Sequence, residues 1–223
     1  MKRLALAFLL VLATFALAQD EKKPKKDPVL PWNPVENAKE GDWTVFSCHI
    51  TAGDKIEKRV QTWRVTKVGD KVVSIEQAAG ADGGSETIEL PAKEPPTIAK
   101  FCDVGSEKVM DLETTDEKRT VGNREFTCKK LSFRTYDGQR ILRATLWLSK
   151  DVKGSGVVGI HLEGDLAEPA GGKAIVDFEV AGFGTKDKTE FGKTRAELAR
   201  EIGADKPAEQ PKKDEKGDKG DKK

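Results

Sequence analysis

The residues of this chain that could do chemistry are few. They are Cys48, Cys102 and Cys128, the histidines His49 and His161, and the tripeptide Gly192-Lys193-Thr194 that follows the strand-like run AIVDFEVAGFG. Gly-Lys-Thr at the entrance to a helix is how a phosphate-binding loop ends. That loop needs G-x-x-x-x-G-K-[ST], because its first glycine lets successive backbone N–H groups turn onto the phosphates. Here the first position is Asp187, Glu190 adds a second carboxylate, and Gly184 lies three residues too early. Two negative charges where a triphosphate would sit argue against a nucleotide. The tripeptide reads instead as a helix start. Thr194 and Glu197 form a capping box that satisfies unpaired backbone N–H groups, and Leu198 and Ile202, one turn apart with Ala199 beside them, form a stripe to pack on a sheet.

The cysteines and histidines could in principle ligate zinc, which takes sulfur and nitrogen donors tetrahedrally. None of them shows C-x-x-C or H-x-x-x-H spacing. Strand alternation also separates the adjacent pair, setting Cys48 with Phe46 and Ile50 on one face and His49 with Trp43 and Val45 on the other. A hydrolytic triad needs a nucleophile, a histidine base and an orienting carboxylate. His161 lies in GIHLEGD, where Gly159, His161 and Glu163 share one face and Ile160 and Leu162 the other, which places the histidine on the solvated side. Nothing resembles G-x-S-x-G. The carboxylate pairs Glu163 with Asp165 and Asp111 with Glu113 read as polar strand faces. The expectation is a chain that is not an enzyme, with no catalytic residue, no cofactor and no metal.

The tryptophans require a separate account. Trp63 alternates with Val65. Trp147 stands with Thr145 and Ser149 on one face of RATLWLS while Leu146 and Leu148 take the other. Large apolar groups on both faces suit a strand covered on both sides, or one lining a cavity on the Trp147 side. Core packing is the simpler reading, since aromatic rings dominate cores.

These residues sit on elements that alternate apolar and polar positions with period two and are cut by Gly- and Asp-containing turns, the pattern of antiparallel strands. DWTVFSCHIT, AGDK and IEKRVQTWRVTKV make a first hairpin, and Gly69-Asp70 returns the chain into KVVSIEQAA. ETIEL follows. PAKEPPTIAKF then carries three prolines that argue against both helix and central strand. KVMDLETT and DEKRTV lead into the Gly122-Asn123 turn favoured by hairpins, then come REFTCKKLSFRT, RILRATLWLS, GVVGIHLEG and KAIVDFEVAGFG. The count is nine or ten strands, with the C-terminal helix as the one convincing helix.

The chain ends set the context. MKRLALAFLLVLATFALA places Lys2 and Arg3 before an apolar run and closes on Ala16-Leu17-Ala18, the form of a secretory signal peptide cleaved after Ala18. No other segment approaches the ~20 apolar residues of a membrane helix. Residues 19–31 read as a disordered linker, 32–204 as one β-rich domain, and 205–223 as a disordered charged tail, because these ends mix charges with Pro and Gly and offer nothing to bury. The balance of 39 basic against 38 acidic residues calls for neither nucleic acid nor an anionic membrane. A periplasmic or secreted monomer is expected. In such a compartment three cysteines allow at most one intramolecular bridge and leave one thiol over, with the pairing open.

REFTCKKLSF followed by ATLWLSKDVKGSGVVGIHLEG resembles the C-terminal half of exported bacterial β proteins of planctomycete type. Their architecture is similar to that of the lipoprotein carriers LolA and LolB. The resemblance implies a mainly β fold, a single curved antiparallel sheet or half-barrel with a short C-terminal helix, open on one side around an apolar cavity. It covers Arg124 to Gly164 well and Trp43 to Gly182 loosely, and it transfers no catalytic residue. Three roles follow as expectations: a binding or structural protein without catalysis, a carrier of a lipid or other small apolar ligand in the cell envelope, or an interaction module for an envelope protein. The carrier requires a continuous apolar face. The module requires an exposed patch or edge before a filled core.

Overall fold

A computed structural model describes residues 27–79, 84–102, 109–136, 141–165 and 172–203. Ten strands form one open, curved antiparallel sheet: β1 (Asp42–Ala52), β2 (Lys55–Val68), β3 (Val72–Ala79), β4 (Ser85–Pro91), β5 (Val109–Val121), β6 (Arg124–Tyr136), β7 (Ile141–Leu148), β8 (Val157–Asp165), β9 (Lys173–Thr185) and β10 (Lys188–Gly192). Their spatial order is β4-β3-β2-β1-β9-β8-β7-β6-β5, with β10 paired to the end of β9. Short turns make most neighbours consecutive in sequence. The exception is the seam between β1 and β9, which joins the two halves of the chain.

Alternation decides the faces. Phe46 and Cys48 of β1 point into the main core with Trp63 and Val65 of β2, Leu131 and Phe133 of β6, and Leu146 of β7. We call this the core face. Val45 points the other way, toward Val60 and Leu198, where the helix α2 (Arg195–Gly203) lays its stripe on the sheet with Ala199 and Ile202. The capping box forms as its sequence implies: the Glu197 N–H donates to Thr194 Oγ1 at 3.3 Å, and the Thr194 N–H donates to Glu197 Oε2 at 2.8 Å. The Thr194 N–H, with the Thr194 hydroxyl, donates to the Glu197 carboxyl and holds it below its ordinary range.

The sheet is far from flat. Arg119 on β5 donates to Glu179 on β9 at 2.9 Å, although the two strands stand four places apart in the order. A flat sheet would separate them by about 19 Å at its usual strand spacing. The β5–β6 hairpin therefore arches across β7, β8 and β9. Its tip turns at Gly122, with φ +58, and packs Phe126 against Phe183 and Phe191 at centroid distances of 6.4 and 5.4 Å.

Four expectations need correction. PAKEPPTIAKF does end in a helix, α1 (Ile98–Cys102). Its prolines all precede Thr97, whose hydroxyl accepts from the Lys100 N–H at 3.2 Å, so the helix starts where proline stops forbidding it. Ile98 and Phe101 are buried, and Phe101 meets Trp63 edge-on at 6.0 Å. Second, Gly192 belongs to the unforeseen strand β10, with φ +65. Third, the chain is seated before Trp32: Val29 bridges Thr97, Leu30 N–H donates to the Pro96 carbonyl at 3.0 Å, and Leu30 is buried. Fourth, all three cysteines are free thiols. Cys48 and Cys128 are held on β1 and β6, strands that do not pair, and each faces other residues in its register. Residues 1–26 and 204–223, which hold the leader and the charged tail, lie outside the described residues.

Candidate functional site

Strand register places three successive rows on the core face, each crossing β1, β9, β8, β7 and β6. The first reads Cys48, Phe178, Ile160, Leu146, Leu131; the second Ile50, Val176, Leu162, Ala144, Phe133; the third Ala52, Ala174, Gly164, Leu142, Thr135. Thr135 is the one polar side chain among them, and it is fully buried. This floor is unevenly covered. Leu131, Phe133, Ala144 and Leu146 are buried, whereas Ile50, Val176, Leu162, Phe178, Ile160 and Leu142 all remain partly exposed. Helix α1 and the buried Leu30 and Val35 belong to the same core as Trp63, Val73, Leu90 and these buried floor residues, with Phe178, Ile160 and Leu162 packed against its edge, while Ile50 and Val176 lie outside it. The partly exposed apolar surface is therefore on β1, β9 and β8.

On the β2 side the floor ends abruptly in charge. Arg59 is the register partner of Cys48, Glu57 of Ile50 and Lys55 of Ala52. All three share the core face. Glu57 and Arg59 pair through Nε at 2.6 Å. The register between β2 and β3 stops at Gln61, so this rim projects past its neighbour. On the β5 side the first and third rows end in Thr114 and Val109, which are uncharged.

The opposite face carries the histidines. His161 Nδ1 lies 2.6 Å from Asp177 Oδ1 across β8 and β9, and His49 is the register partner of the same Asp177 from β1. Gly159, His161 and Glu163 do share this solvated face, as alternation implied. Among the described residues no three His, Cys, Asp or Glu donors are grouped to hold a metal. The paired carboxylates are tied elsewhere: Glu163 to Lys173 and Asp111 to Arg134. Lys193 of the tripeptide pairs with Glu201 at 2.6 Å. Burial pushes the Cys48 thiol up to about 12 and that of Cys128 up to about 11, which keeps both protonated and unreactive.

Trp147 also lies on that opposite face, beneath charged side chains of the β5–β6 hairpin. Arg119 Cζ stands 4.0 Å from its ring centroid, and Nε1 donates to Glu117 at 3.2 Å. Lys130 bonds Glu117 at 3.1 Å and holds that carboxyl below its ordinary range. Gly159 makes the stack possible, since a Cβ there would meet Arg119 Cζ at 3.1 Å. Arg119, Lys130 and Glu117 thus take the positions beside the indole that a ligand on the Trp147 side would use.

No family model matches the chain, and no curated protein matches it. One solved structure is similar to it, a crystal structure described as an outer membrane lipoprotein-sorting protein domain from Vibrio parahaemolyticus. It shares 9% identity over 75% of this chain and 93% of that one, at a TM-score of 0.26. At that score nothing below rests on the likeness. The resemblance to planctomycete-type proteins finds no support in these comparisons.

Proposed function

We propose that this chain is an exported binding protein without catalysis, which holds the acyl chain of an amphiphile on the open part of its core face. The observation that carries this reading is the run of apolar rows on β1, β9 and β8 whose Ile50, Val176, Phe178, Ile160 and Leu162 stay partly exposed at the edge of the packed core. Ordinary cores bury such rows, because each Å² of apolar surface left in water costs about 25 cal/mol, and contiguous exposed patches mark binding sites. Strand β2 then supplies a polar border at the edge of the apolar floor, the arrangement of ligand sites that bury a tail and leave a head wet. Export is proposed from the leader-like first eighteen residues. Among the described residues no helix is long and apolar enough to cross a membrane.

The test is uptake. Protein purified without detergent is examined by native mass spectrometry for a bound amphiphile, then titrated with a fluorescent fatty acid. Saturable binding at about one ligand per chain is expected. No retained amphiphile and no saturable binding would refute the proposal, and a dimer by sedimentation under those conditions would assign the face to a second copy instead.

A further inference from the structure

The floor is electrically lopsided, and this bears on what its ligand carries at the head. Its first row starts beside Arg59 and its third beside Lys55, whereas the same rows end beside Thr114 and Val109. Between the two cations stands Glu57, already paired with Arg59 through Nε. A guanidinium carries five N–H donors in a fixed fork, so one carboxylate at Nε does not exhaust it. The rim thus holds one more positive than negative charge, in a place where a third of the Arg59 side chain meets solvent. Its field reaches the floor as well. At Cys48 the Arg59 charge works against the burial that pushes the thiol up.

The dimensions agree. From Arg59 on β2 to Ile160 on β8, the last partly exposed residue of its row, the row crosses three strand spacings, about 14 Å, the span of a medium-length acyl chain laid across the strands. Among the described residues, the register sets a cation at the β2 end of the first and third rows and an uncharged residue at the β5 end. The buried hydroxyl of Thr135 has no partner among the described residues, but at 0% exposure it offers nothing to a headgroup.

We infer that the ligand is a single-chain anionic amphiphile, its carboxylate or phosphate held by Arg59 with Lys55 nearby, its tail running over Ile50, Val176, Phe178, Ile160 and Leu162. This rests on the binding role proposed above and adds the charge and orientation of the ligand. Charge-assisted hydrogen bonds to Arg are the stronger kind, and a partly exposed one weakens as salt shortens the reach of its field.

The experiment compares three ligands of equal chain length by displacement of a fluorescent fatty acid: a fatty acid, a lysophosphatidic acid and a neutral monoacylglycerol. Either or both anions should bind about tenfold tighter than the neutral lipid, a difference of about 1.4 kcal/mol, and which anion leads identifies the head as carboxylate or phosphate. Arg59→Gln should erase that preference, while Glu57→Gln should increase it. Equal affinity for all three ligands would overturn the inference and leave the binding role standing. An anion preference that survives Arg59→Gln would also overturn it. Failure of every ligand to bind would remove the binding role itself and the inference with it.

Discussion

Arg119 Cζ lies 4.0 Å from the ring centroid of Trp147, so a cation from β5 caps an indole on β7. The same guanidinium reaches on to Glu179 of β9 at 2.9 Å. One side chain thereby pins the arching hairpin both to β7 beside it and to β9, which a flat sheet would hold about 19 Å from β5.

Replacing Arg119 with Ala should lower stability by about 1–2 kcal/mol, the range of a partly desolvated cation–π contact. It should also change tryptophan emission, and that change should vanish in a Trp147→Phe background. Urea unfolding and fluorescence check both. Because Trp147 and the apolar floor lie on opposite faces, added fatty acid should leave Trp147 emission unchanged. A shift there would place the ligand under the hairpin instead.

Val176 and Ile175 are neighbours on β9 that point to opposite faces. Val176→Glu should weaken fatty acid binding about tenfold or more, since an ionised carboxylate would meet the acyl chain without a partner. Ile175→Glu should not. Equal effects of the two substitutions would show that binding does not use the core face.

Buried thiols make stability fall in alkali. Cys48 has its pKa raised from 9.0 to about 12, with desolvation as the main cause. The unfolded chain therefore loses this proton first, and the stability that the raised pKa represents is complete below pH 9 and lost as pH rises toward 12. The slope is about 1.4 kcal/mol per pH unit for one such thiol. Urea midpoints at pH 8 to 10.5 should fall more steeply in the wild type than in Cys48→Ala. Thiol counting under denaturing, non-reducing conditions should find three free cysteines, matching the three free thiols of the structure.

Thr194→Ala should cost about 1 kcal/mol, the usual worth of an N-cap. Leu198→Ala should cost about 2–3 kcal/mol, because Leu198 is 7% exposed against Val45 and Val60. Added ATP should not change the melting temperature of either variant or of the wild type. A rise would reopen the phosphate loop at Gly192-Lys193-Thr194.

Local pattern made much of this legible. Alternation put Cys48 and His49 on opposite faces and His161 with Gly159 and Glu163 on the solvated one, because period two is a property of each strand alone. The capping box of α2 was equally local. Other features were set from a distance. The apolar floor exists only through the register of β9 against β1, with its irregularity near Val45 and Phe46, and nothing in either strand announces that pairing. The expected disulfide failed for a related reason: counting cysteines says what a compartment permits, not where the strands carry them. Helix α1 is hidden in the sequence because three prolines stand close before it, although the last of them precedes the capping Thr97.

The seam between β1 and β9 also governs when this protein can fold. Thr185 donates to Asp42 at 2.6 Å across 143 residues of sequence. Strands β1 to β4 can zip together as hairpins early, yet the inner edge of β1 keeps its backbone N–H and C=O groups unmatched until β9 has left the ribosome. Closing so long a loop precedes its reward, which makes such topologies slow and leaves strand edges open meanwhile. A nascent chain of this kind can build its β1–β4 half early, yet it closes its sheet only once β9, near the end of the described chain, is made.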